Sequence, residues 1–421
     1  MDRLKDVFGD ARLQQVKSFA LTATYCVLIW MAGCTLFNCI CLTMRYMRLK
    51  LGSRIKIDSK RALLITGSTS GIGLSLAKRY FRKGFSVFAT YYNSSELGFA
   101  ELQQLITATG STYGTGPKLF LVHMDVRSRA SIDTAAMEIE QLLEEYQLEL
   151  YSVVSNAGVS CEVSLEFCET ESILQMIETN ILGPILVCRR FIKHIIQSKG
   201  RIIIVSSVIY NLKAPHQPIY FASKAALKSF SDSLNECLKN YGASCRCVCP
   251  GNFLNQSNII LPLAKSFQDS VSKLSDKERE LFRKNIEENE ITIDKVLKQR
   301  LRFAECNNED PEQLLAAYGL TKPSDNSGYV FTRFNTCLDW LFATFVAGRK
   351  DELNEKEMSK GEIANLHAFD TALLLRNPPQ RLYPGSSLFE HVVAPGLMEY
   401  SSQIAYDILY KISERGVRGK I

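Results

Sequence analysis

Tyr220 and Lys224 form the pair whose residue types and spacing best suit acid–base chemistry in this 421-residue chain. Residues four apart lie on one face of a helix, so the two side chains would be neighbours if this segment is helical. A tyrosine with an ordinary pKa of about 10 exchanges protons poorly at neutral pH, and a nearby ammonium group favours its phenolate. Because the chain has 17 tyrosines, this spacing alone is weak evidence. The motifs around the pair therefore decide its meaning.

Ser207 lies at the end of an apolar run, thirteen residues before Tyr220. Its hydroxyl could hydrogen-bond a carbonyl or alcohol oxygen while the tyrosine moves the proton. Asn156, Ala157 and Gly158 follow the preceding apolar run, and Asn180 lies in the helical stretch after them. Pro250 and Gly251 follow the next run. Each of these residues has an ordinary structural explanation, but their order and spacing favour one shared site.

A glycine-rich turn, TGSTSGIG, occupies residues 66–73 after the first apolar run. Glycines have no Cβ, so backbone amides and the positive end of the following helix can approach a pyrophosphate. A tight connection explains such a turn equally well when it is considered alone. Its position between a predicted strand and a predicted helix favours dinucleotide binding. The residues assigned to the cofactor here are Thr66, Gly67, Ser70, Gly71, Ile72 and Gly73.

The elements that must position these residues are repeated βα units. Apolar runs alternate with helical stretches beyond residue 60, with candidate strands at 62–65, 86–89, 119–123, 152–154, 202–205 and 245–249. This alternation predicts an α/β fold with a doubly wound parallel sheet. Residues 261–360 are instead rich in charged helical sequence and predict an insertion that covers the sheet or a solvent-exposed appendage.

In this order, the motifs resemble those of the short-chain dehydrogenase/reductase superfamily over residues 60–255. The resemblance implies a Rossmann-type fold that binds NAD or NADP. It implies that Tyr220 is the catalytic acid/base, that Lys224 lowers its pKa and holds the nicotinamide ribose, and that Ser207 orients the substrate. Asn180 would hold a proton-relay water. Further implied contacts are Asp125 with the adenine, Asn156 as a strand-stabilising residue, and Ala157, Gly158, Pro250 and Gly251 with the cofactor.

The choice between NAD and NADP stays open in the sequence. Family members that prefer NAD often carry an acidic residue at the end of the second strand, and those that prefer NADP carry a basic one. Residues 90–93 read TYYN and offer neither. Asn255 also stands where many members have a threonine that contacts the cofactor carboxamide. The chain's resemblance to the branch of hydroxysteroid, retinol and hydroxybutyrate dehydrogenases weakly favours NAD.

Residues 84–90 and a distal segment at 372–385 are similar to the branch that holds 17β-hydroxysteroid, retinol and 3-hydroxybutyrate dehydrogenases. This similarity implies a secondary alcohol or ketone of a lipid-like substrate, a steroid or a retinoid. A homo-oligomer remains open. The alternative is a non-catalytic dinucleotide-binding scaffold or sensor that uses the inserted helical region for partners. The long insertion and Asn255 keep this alternative open.

Residues 18–44 contain no charged side chain and are long enough to span a hydrocarbon core of about 30 Å. A buried soluble helix and a cleaved signal peptide are the alternatives. The Lys and Arg residues that follow predict a cytosolic domain, in the endoplasmic reticulum membrane or a mitochondrial one. The predicted organisation is an N-terminal segment (1–18), a membrane anchor (19–44), a basic linker (45–60), a catalytic domain (61–258) and a helical extension (259–421).

The composition excludes several classes of protein. With 46% hydrophobic and 22% charged residues, the chain is too apolar for a disordered protein and has no collagen-like or coiled-coil texture. The 13 cysteines include no CxxC pair, which favours a reducing compartment. Cys245, Cys247 and Cys249 alternate on one strand and are interpreted as packing residues, so no metal is predicted. The sequence shows no nucleic-acid-binding motif.

Overall fold

The structure is a computed structural model of the chain. It describes residues 25, 52–110, 116–160, 165–207, 217–250, 260–306, 310–317, 319–320, 360–378 and 381–382. The predicted anchor at 19–44 lies outside this part of the chain except for Tyr25. Within the described ranges, no helix has the length and apolar character needed to cross a membrane. The chain divides into units 1–52 and 53–421, and the features below belong to the second.

The centre of the fold is a seven-stranded parallel sheet. Its strands are β1 (Arg61–Ile65), β2 (Ser86–Tyr91), β3 (Leu119–His123), β4 (Glu149–Ser155), β5 (Arg201–Val205), β6 (Ser244–Val248) and β7 (Arg381–Leu382). The order across the sheet is β3-β2-β1-β4-β5-β6-β7. The α/β class and the six predicted strands are confirmed, whereas β7 was not predicted. Strand order reverses between β1 and β4, where ligands bind in such sheets.

The helices are α1 (Gly71–Lys83), α2 (Leu97–Thr109), α3 (Arg129–Glu145), α4 (Thr170–Ile177), α5 (Gly183–Gln197), α6 (Pro218–Lys239), α7 (Ile260–Ser272), α8 (Asp276–Cys306), α9 (Pro311–Ala316) and α10 (Lys360–Leu374). A short 3-10 helix (Leu165–Phe167) precedes α4, and one π-helical turn (Glu178–Leu182) joins α4 to α5. Predicted helical sequence between 261 and 360 is confirmed for α7 to α9. Residues 321–359 of that region lie outside the described residues.

Two layers of helices bury the two faces of the sheet. Alternate residues of a strand point to opposite faces, so Ala62 and Leu64 pack with α3, α5 and α6, whereas Leu63 and Ile65 pack with α1, α2 and α10. Every one of these β1 side chains is inaccessible to solvent. Such apolar runs, buried on both faces, are typical of parallel sheets. The rigid sheet therefore fixes the residues at its carboxyl edge.

Helix α10 belongs to the core of the sheet domain although it is far from the sheet in sequence. Phe369 and Leu373 are fully buried in the same cluster as β1. Arg201 of β5 donates from Nη1 to the carbonyls of Ala372 (2.7 Å) and Leu375 (2.8 Å), at the carboxyl end of the helix. Residues on both sides of the predicted boundary at 258 thus share one core.

A third, smaller core lies among α7, α8 and α9. Leu261, Phe267, Leu297, Leu301 and Leu315 are among its buried members. Two polar contacts link these helices to the region of the 3-10 helix. Lys273 forms an ion pair with Glu169, and Asn285 donates from Nδ2 to Glu166 Oε1 at 2.7 Å.

Candidate active site

A cleft of about 360 Å³ opens at the carboxyl edge of the sheet, where the strand order reverses. The predicted site residues that line it are Gly67, Ser70, Gly71, Ile72, Asp125, Asn156, Ala157, Gly158, Ser207, Tyr220, Lys224 and Pro250. Thr66 and Asn180 are buried beside it, and Gly73 lies in the first turn of α1. Gly251 and Asn255 lie outside the described residues. Residues far apart in the chain therefore meet in one place.

The glycine-rich turn depends on glycine at particular positions. Gly67 and Gly71 have φ values of 65° and 52°, in the left-handed region that L side chains rarely adopt. A Cβ on Gly73 would lie 2.0 Å from the carbonyl oxygen of Gly67. Ser70, at the start of α1, makes no capping bond with its side chain. Helix α1 therefore presents its positive end to the cleft, as an anion site requires.

Two side chains fasten the turn to its neighbouring strands. Thr66 Oγ1 accepts from the backbone N–H groups of Asn156 and Ala157, both at 3.0 Å. Asn156 in turn donates from Nδ2 to the carbonyls of Thr66 (2.9 Å) and Gly67 (3.1 Å). Thr90, at the end of β2, accepts from the Gly67 N–H at 3.3 Å. Thr90 was predicted to bear only on cofactor choice, and its positioning contact with the turn was not predicted.

The far end of the cleft carries charged side chains from two segments, the one after β3 and the one before α2. Asp125 accepts from Arg127 Nε (3.0 Å) and Nη2 (2.8 Å), and Arg127 Nη2 also reaches Tyr92 Oη at 3.1 Å. The hydrogen bonds from Arg127 lower the pKa of Asp125, and those same bonds raise the pKa of Arg127. Glu96, at the start of α2, lines this end as well. Asp125 was predicted at this site, whereas Arg127 and Glu96 were not.

Helix α6 places Tyr220 and Lys224 on one face, as their spacing predicted. The Lys224 Nζ lies 5.5 Å from the centre of the Tyr220 ring and 3.4 Å from the Val205 carbonyl oxygen. Burial lowers the pKa of Lys224 to about 8, while Cys247 and Cys249 act in the opposite direction. Burial also raises the pKa of Tyr220 to about 12. Without a bound ligand, the tyrosine is therefore a protonated phenol at neutral pH.

The end of β5 supports this helix through the residue next to the predicted serine. Ser206 Oγ donates to the Lys224 carbonyl at 2.7 Å, and the Ser206 N–H donates to Val248 O at 2.8 Å. Ser207 follows and lines the cleft with Tyr220. Ser206 thus fixes the position of α6 relative to the ends of β5 and β6. Residue type alone does not distinguish the roles of these two adjacent serines.

Asn180 lies in the π-helical turn rather than in a regular helix, and its side chain is inaccessible to solvent. Its Oδ1 accepts from the Val159 N–H and its Nδ2 donates to the Val159 carbonyl, both at 2.8 Å. Nδ2 also lies 3.3 Å from Ser223 Oγ, which donates to the Tyr220 carbonyl at 2.7 Å. The described contacts of Asn180 therefore position the loop after β4 and the first turn of α6. Its predicted role with a proton-relay water stays a prediction.

The three alternating cysteines on β6 and directly after it pack in the core. Cys245, Cys247 and Cys249 are fully buried, and the Sγ atoms of Cys247 and Cys249 lie 3.7 Å apart. Across the described ranges, no group of three or more His, Cys, Asp or Glu residues is placed to hold a metal ion. Their alternation is that of a buried strand. Cys247 and Cys249 also lie near Lys224, close enough to affect its pKa.

Comparison with known proteins gives the same family as the motifs. A family profile described as short chain dehydrogenase matches residues 61–259. The mouse mitochondrial D-beta-hydroxybutyrate dehydrogenase is 28% identical over 235 residues, which cover 55% of this chain and 65% of that protein. Human 17-beta-hydroxysteroid dehydrogenase type 2 is 30% identical over 223 residues, which cover 53% of this chain and 54% of that protein. The chain thus spans less than two thirds of either relative.

Among solved structures, a short chain dehydrogenase from Burkholderia cenocepacia in complex with NADP is similar over 47% of this chain and 76% of that one. The sequence identity is 26% and the TM-score is 0.41. The matched profile, the order of the motifs and the cleft that collects them agree with one another. Residues 61–259 match the short chain dehydrogenase family, and the chain is similar in sequence to hydroxybutyrate and 17-beta-hydroxysteroid dehydrogenases.

Proposed function

We propose that the protein is a nicotinamide-dependent oxidoreductase that interconverts a secondary alcohol and a ketone. The observation that carries the proposal is the shared cleft, in which the glycine-rich turn, Ser207, Tyr220 and Lys224 line one volume. A binding site alone would need the turn but not a buried lysine beside a tyrosine. Members of the family use nicotinamide cofactors, which agrees with this combination.

The residues of the cleft fit a dinucleotide. The uncapped start of α1 and the glycines at 67, 71 and 73 suit a pyrophosphate, because backbone amides can approach it without a Cβ in the way. Asp125 and its neighbours would hold the adenosine end, and Lys224 would hold the nicotinamide ribose. Bound there, the nicotinamide ring supplies or accepts a hydride at the carbon that bears the substrate oxygen.

Tyr220 and its neighbours handle the proton of that reaction. During ketone reduction, the Tyr220 phenol donates its proton to the substrate oxygen, and during alcohol oxidation its phenolate accepts the hydroxyl proton. Ser207 hydrogen-bonds the same oxygen and orients it. Because the pKa of Tyr220 is about 12 before ligands bind, the phenolate needs positive charge nearby. The Lys224 ammonium, 5.5 Å from the ring, supplies it.

NAD is the cofactor that the charges at the adenosine end favour. Glu96 and Asp125 both line this end, and Arg127 already neutralises Asp125 through two hydrogen bonds. A 2′-phosphate would bring about two more negative charges toward Glu96, whereas a ribose hydroxyl can donate to a carboxylate. We therefore expect NADH to bind more tightly than NADPH.

The substrate we propose is lipophilic, a steroid or a retinoid. The relatives named above act, by their names, on hydroxybutyrate and on 17β-hydroxysteroids. The uncharged run at 18–44 supports a membrane anchor that holds the enzyme at the endoplasmic reticulum or a mitochondrial membrane, where apolar substrates accumulate. The basic residues after this run support a cytosolic catalytic domain.

The test compares the detergent-solubilised wild type with Tyr220→Phe. NADH and NADPH binding is followed by cofactor fluorescence, and turnover is measured against steroids, retinoids and short hydroxy acids. We expect turnover in the wild type, a loss of at least about a thousandfold in the variant, and nearly equal cofactor affinity in both. Full activity of Tyr220→Phe would refute the mechanism. Binding of neither cofactor would refute the proposal, and binding without turnover would favour the non-catalytic scaffold or sensor.

A further inference from the structure

The amino edge of the sheet, opposite the cleft, carries a cluster of cations contributed by three separate segments. The segments are 53–61, which leads into β1, 81–84 at the end of α1, and 374–377 at the end of α10. They contain seven Lys or Arg residues and one acid, Asp58. We call this surface the basic edge, and it consists of Arg54, Lys56, Lys60, Arg61, Arg82, Lys83 and Arg376.

Direct contacts bring the three segments together. The Ile55 N–H donates to Leu374 O at 2.8 Å, and the Arg376 N–H donates to Ser53 O at 2.7 Å. A Cβ on Gly84 would lie 3.5 Å from Ile57 Cγ2, which places the end of α1 beside the same segment. The basic edge is therefore one surface of the folded domain rather than a property of a single stretch of sequence.

The side chains of this surface are available to a partner. Arg54, Lys56, Lys60, Arg82 and Arg376 are exposed. Lys83 lies 3.3 Å from Asp370, Arg61 donates to the Lys56 carbonyl, and Lys60 donates from Nζ to the Tyr146 carbonyl at 3.4 Å, so these three are partly committed within the protein. Ile57 is exposed among the cations, with 38% of its surface accessible. A mixture of cations and an aliphatic side chain suits the headgroup region of a bilayer.

We infer that the basic edge rests on a bilayer that contains anionic lipids and so turns the cleft away from the membrane. The inference rests on the proposed anchor, since Ser53 follows the last residue of the uncharged run by only nine positions. Anionic headgroups attract each nearby Lys or Arg by about 1 kcal/mol, which is about fivefold in affinity. The three segments contain no aromatic residue apart from Phe81, which is buried, so the stacking surface of a nucleic-acid site is missing from them.

The position of the cleft follows from the direction of the strands. Segment 53–61 enters at the amino end of β1, and the glycine-rich turn leaves at its carboxyl end. Five residues of strand span about 17 Å. With the basic edge on the headgroups, the substrate must therefore enter the cleft from the aqueous side, even if it is stored in the bilayer.

The test reads the accessibility of lysine side chains in the full chain, reconstituted into vesicles. One set contains phosphatidylcholine alone and the other contains about 30% phosphatidylserine, which gives a negative surface. A water-soluble acylating reagent modifies Lys56, Lys60 and Lys83 at rates measured by mass spectrometry. We expect these rates to be roughly fivefold slower on the anionic vesicles. Lys193 and Lys277, exposed residues outside the basic edge, should react equally on both.

Charge reversal tests whether the slower acylation depends on the basic edge itself or only on the overall charge of the protein. One variant combines Arg54→Glu, Arg82→Glu and Arg376→Glu and keeps all three reporter lysines. In this variant the acylation rates on the two kinds of vesicle should be equal. The matched control reverses Arg129, Arg189 and Arg283, which are exposed and lie on other elements. Equal rates on both vesicles in the wild type, or equal loss in the control variant, would overturn the inference. Heparin that protects the lysines equally on phosphatidylcholine vesicles would also overturn it.

A wash with alkaline carbonate distinguishes failure of the anchor from failure of the basic edge. If the chain is washed off every vesicle, the proposed anchor is wrong. Flotation with phosphatidylserine vesicles then still tests the basic edge, because binding should occur and should be lost in the variant without Arg54, Arg82 and Arg376. Absence of binding in that experiment would refute the surface itself.

Discussion

At the scale of single residues, the burial of Tyr220 and Lys224 has two opposing effects. Burial shields the proton that Tyr220 must move from much of the solvent, but it also disfavours the charged form of each group. The pKa of Lys224 is accordingly lowered to about 8 and that of Tyr220 is raised to about 12. Near neutral pH, the pair therefore rests as an ammonium beside a phenol, which is the protonation state for ketone reduction.

This state makes stability depend on pH in a defined direction. The pKa of Lys224 is about 8 in the folded chain and 10.5 ordinarily, so the unfolded chain binds more protons between these pH values. The free energy of unfolding should therefore rise with pH across this window because of Lys224. We expect Lys224→Met to be more stable than the wild type at pH 7, and this advantage to shrink by up to about 3 kcal/mol near pH 10.5. Denaturant unfolding measures it, and a constant difference would contradict it.

Gly73 provides a second test at this scale, of packing in the glycine-rich turn. Its Cβ would lie 2.0 Å from Gly67 O and 2.7 Å from Asn156 Nδ2, so the turn or the helix must move. We expect Gly73→Ala to lower the free energy of unfolding by about 1–3 kcal/mol and to weaken NADH binding. Gly116→Ala is the control, because its Cβ would meet nothing within 4 Å. Equal effects of the two changes in thermal unfolding would show that the close approach is unimportant.

At the scale of elements, β5 and α10 are joined by one buried arginine. Arg201 is 5% exposed and donates to two carbonyls at the end of α10. Arg201→Met keeps much of the volume but removes both donors, so it should cost about 1.5–3 kcal/mol in the free energy of unfolding. Arg189→Met, an exposed substitution on α5, should change it by less than about 0.5 kcal/mol. A loss as small as in Arg189→Met would argue against this role of Arg201.

Elements with a strong local pattern were predictable from the sequence, and elements defined by distant contacts were not. The first six strands are apolar runs bounded by turns, and all appear in the sheet within a few residues of their predicted limits. Strand β7 has only two residues, so periodicity cannot identify it. The π-helical turn at Asn180 likewise leaves no periodic pattern in the sequence. The Asn180 side chain is held by two hydrogen bonds with the backbone of Val159, which lies in a different loop.

The residues of the site were likewise predictable where their spacing lies within one segment, and not where their contacts join distant segments. Tyr220, Lys224 and the glycine-rich turn follow from spacing within one segment. Arg127 was not predicted because its contact with Tyr92, 35 positions away in the loop after β2, leaves no local pattern. Ser223 was not predicted because its link to Asn180 spans 43 positions. Long-range pairs of this kind carry no signal in a single sequence.

At the scale of the whole molecule, the described chain has two cores against the sheet and a third core among α7, α8 and α9. Because the third core is separate from the two cores against the sheet, we expect it to unfold separately from them. Leu297 is 2% exposed, and Leu297→Ala should destabilise the third core by about 2–5 kcal/mol. Hydrogen exchange should then accelerate in α7 to α9 but not in β1 to β6, and NADH affinity should be unchanged.

Leu281→Ala is the control for this prediction, because Leu281 is on the same helix and is 75% exposed. It should leave exchange unchanged throughout. If Leu297→Ala accelerated exchange equally in β1 to β6, the three cores would unfold as one cooperative unit instead.

The pairing of β7 with β6 has a consequence for the order of events during synthesis. Leu382 pairs with Val248, so 133 residues separate the two partners in sequence. A ribosome that adds about 5–20 residues per second needs roughly 7–27 seconds to make this stretch. Through that interval β6 is the last strand of a nascent sheet, and an uncovered edge invites pairing with other chains. Newly made protein should therefore depend on chaperones most strongly in the period between the emergence of β6 and that of β7.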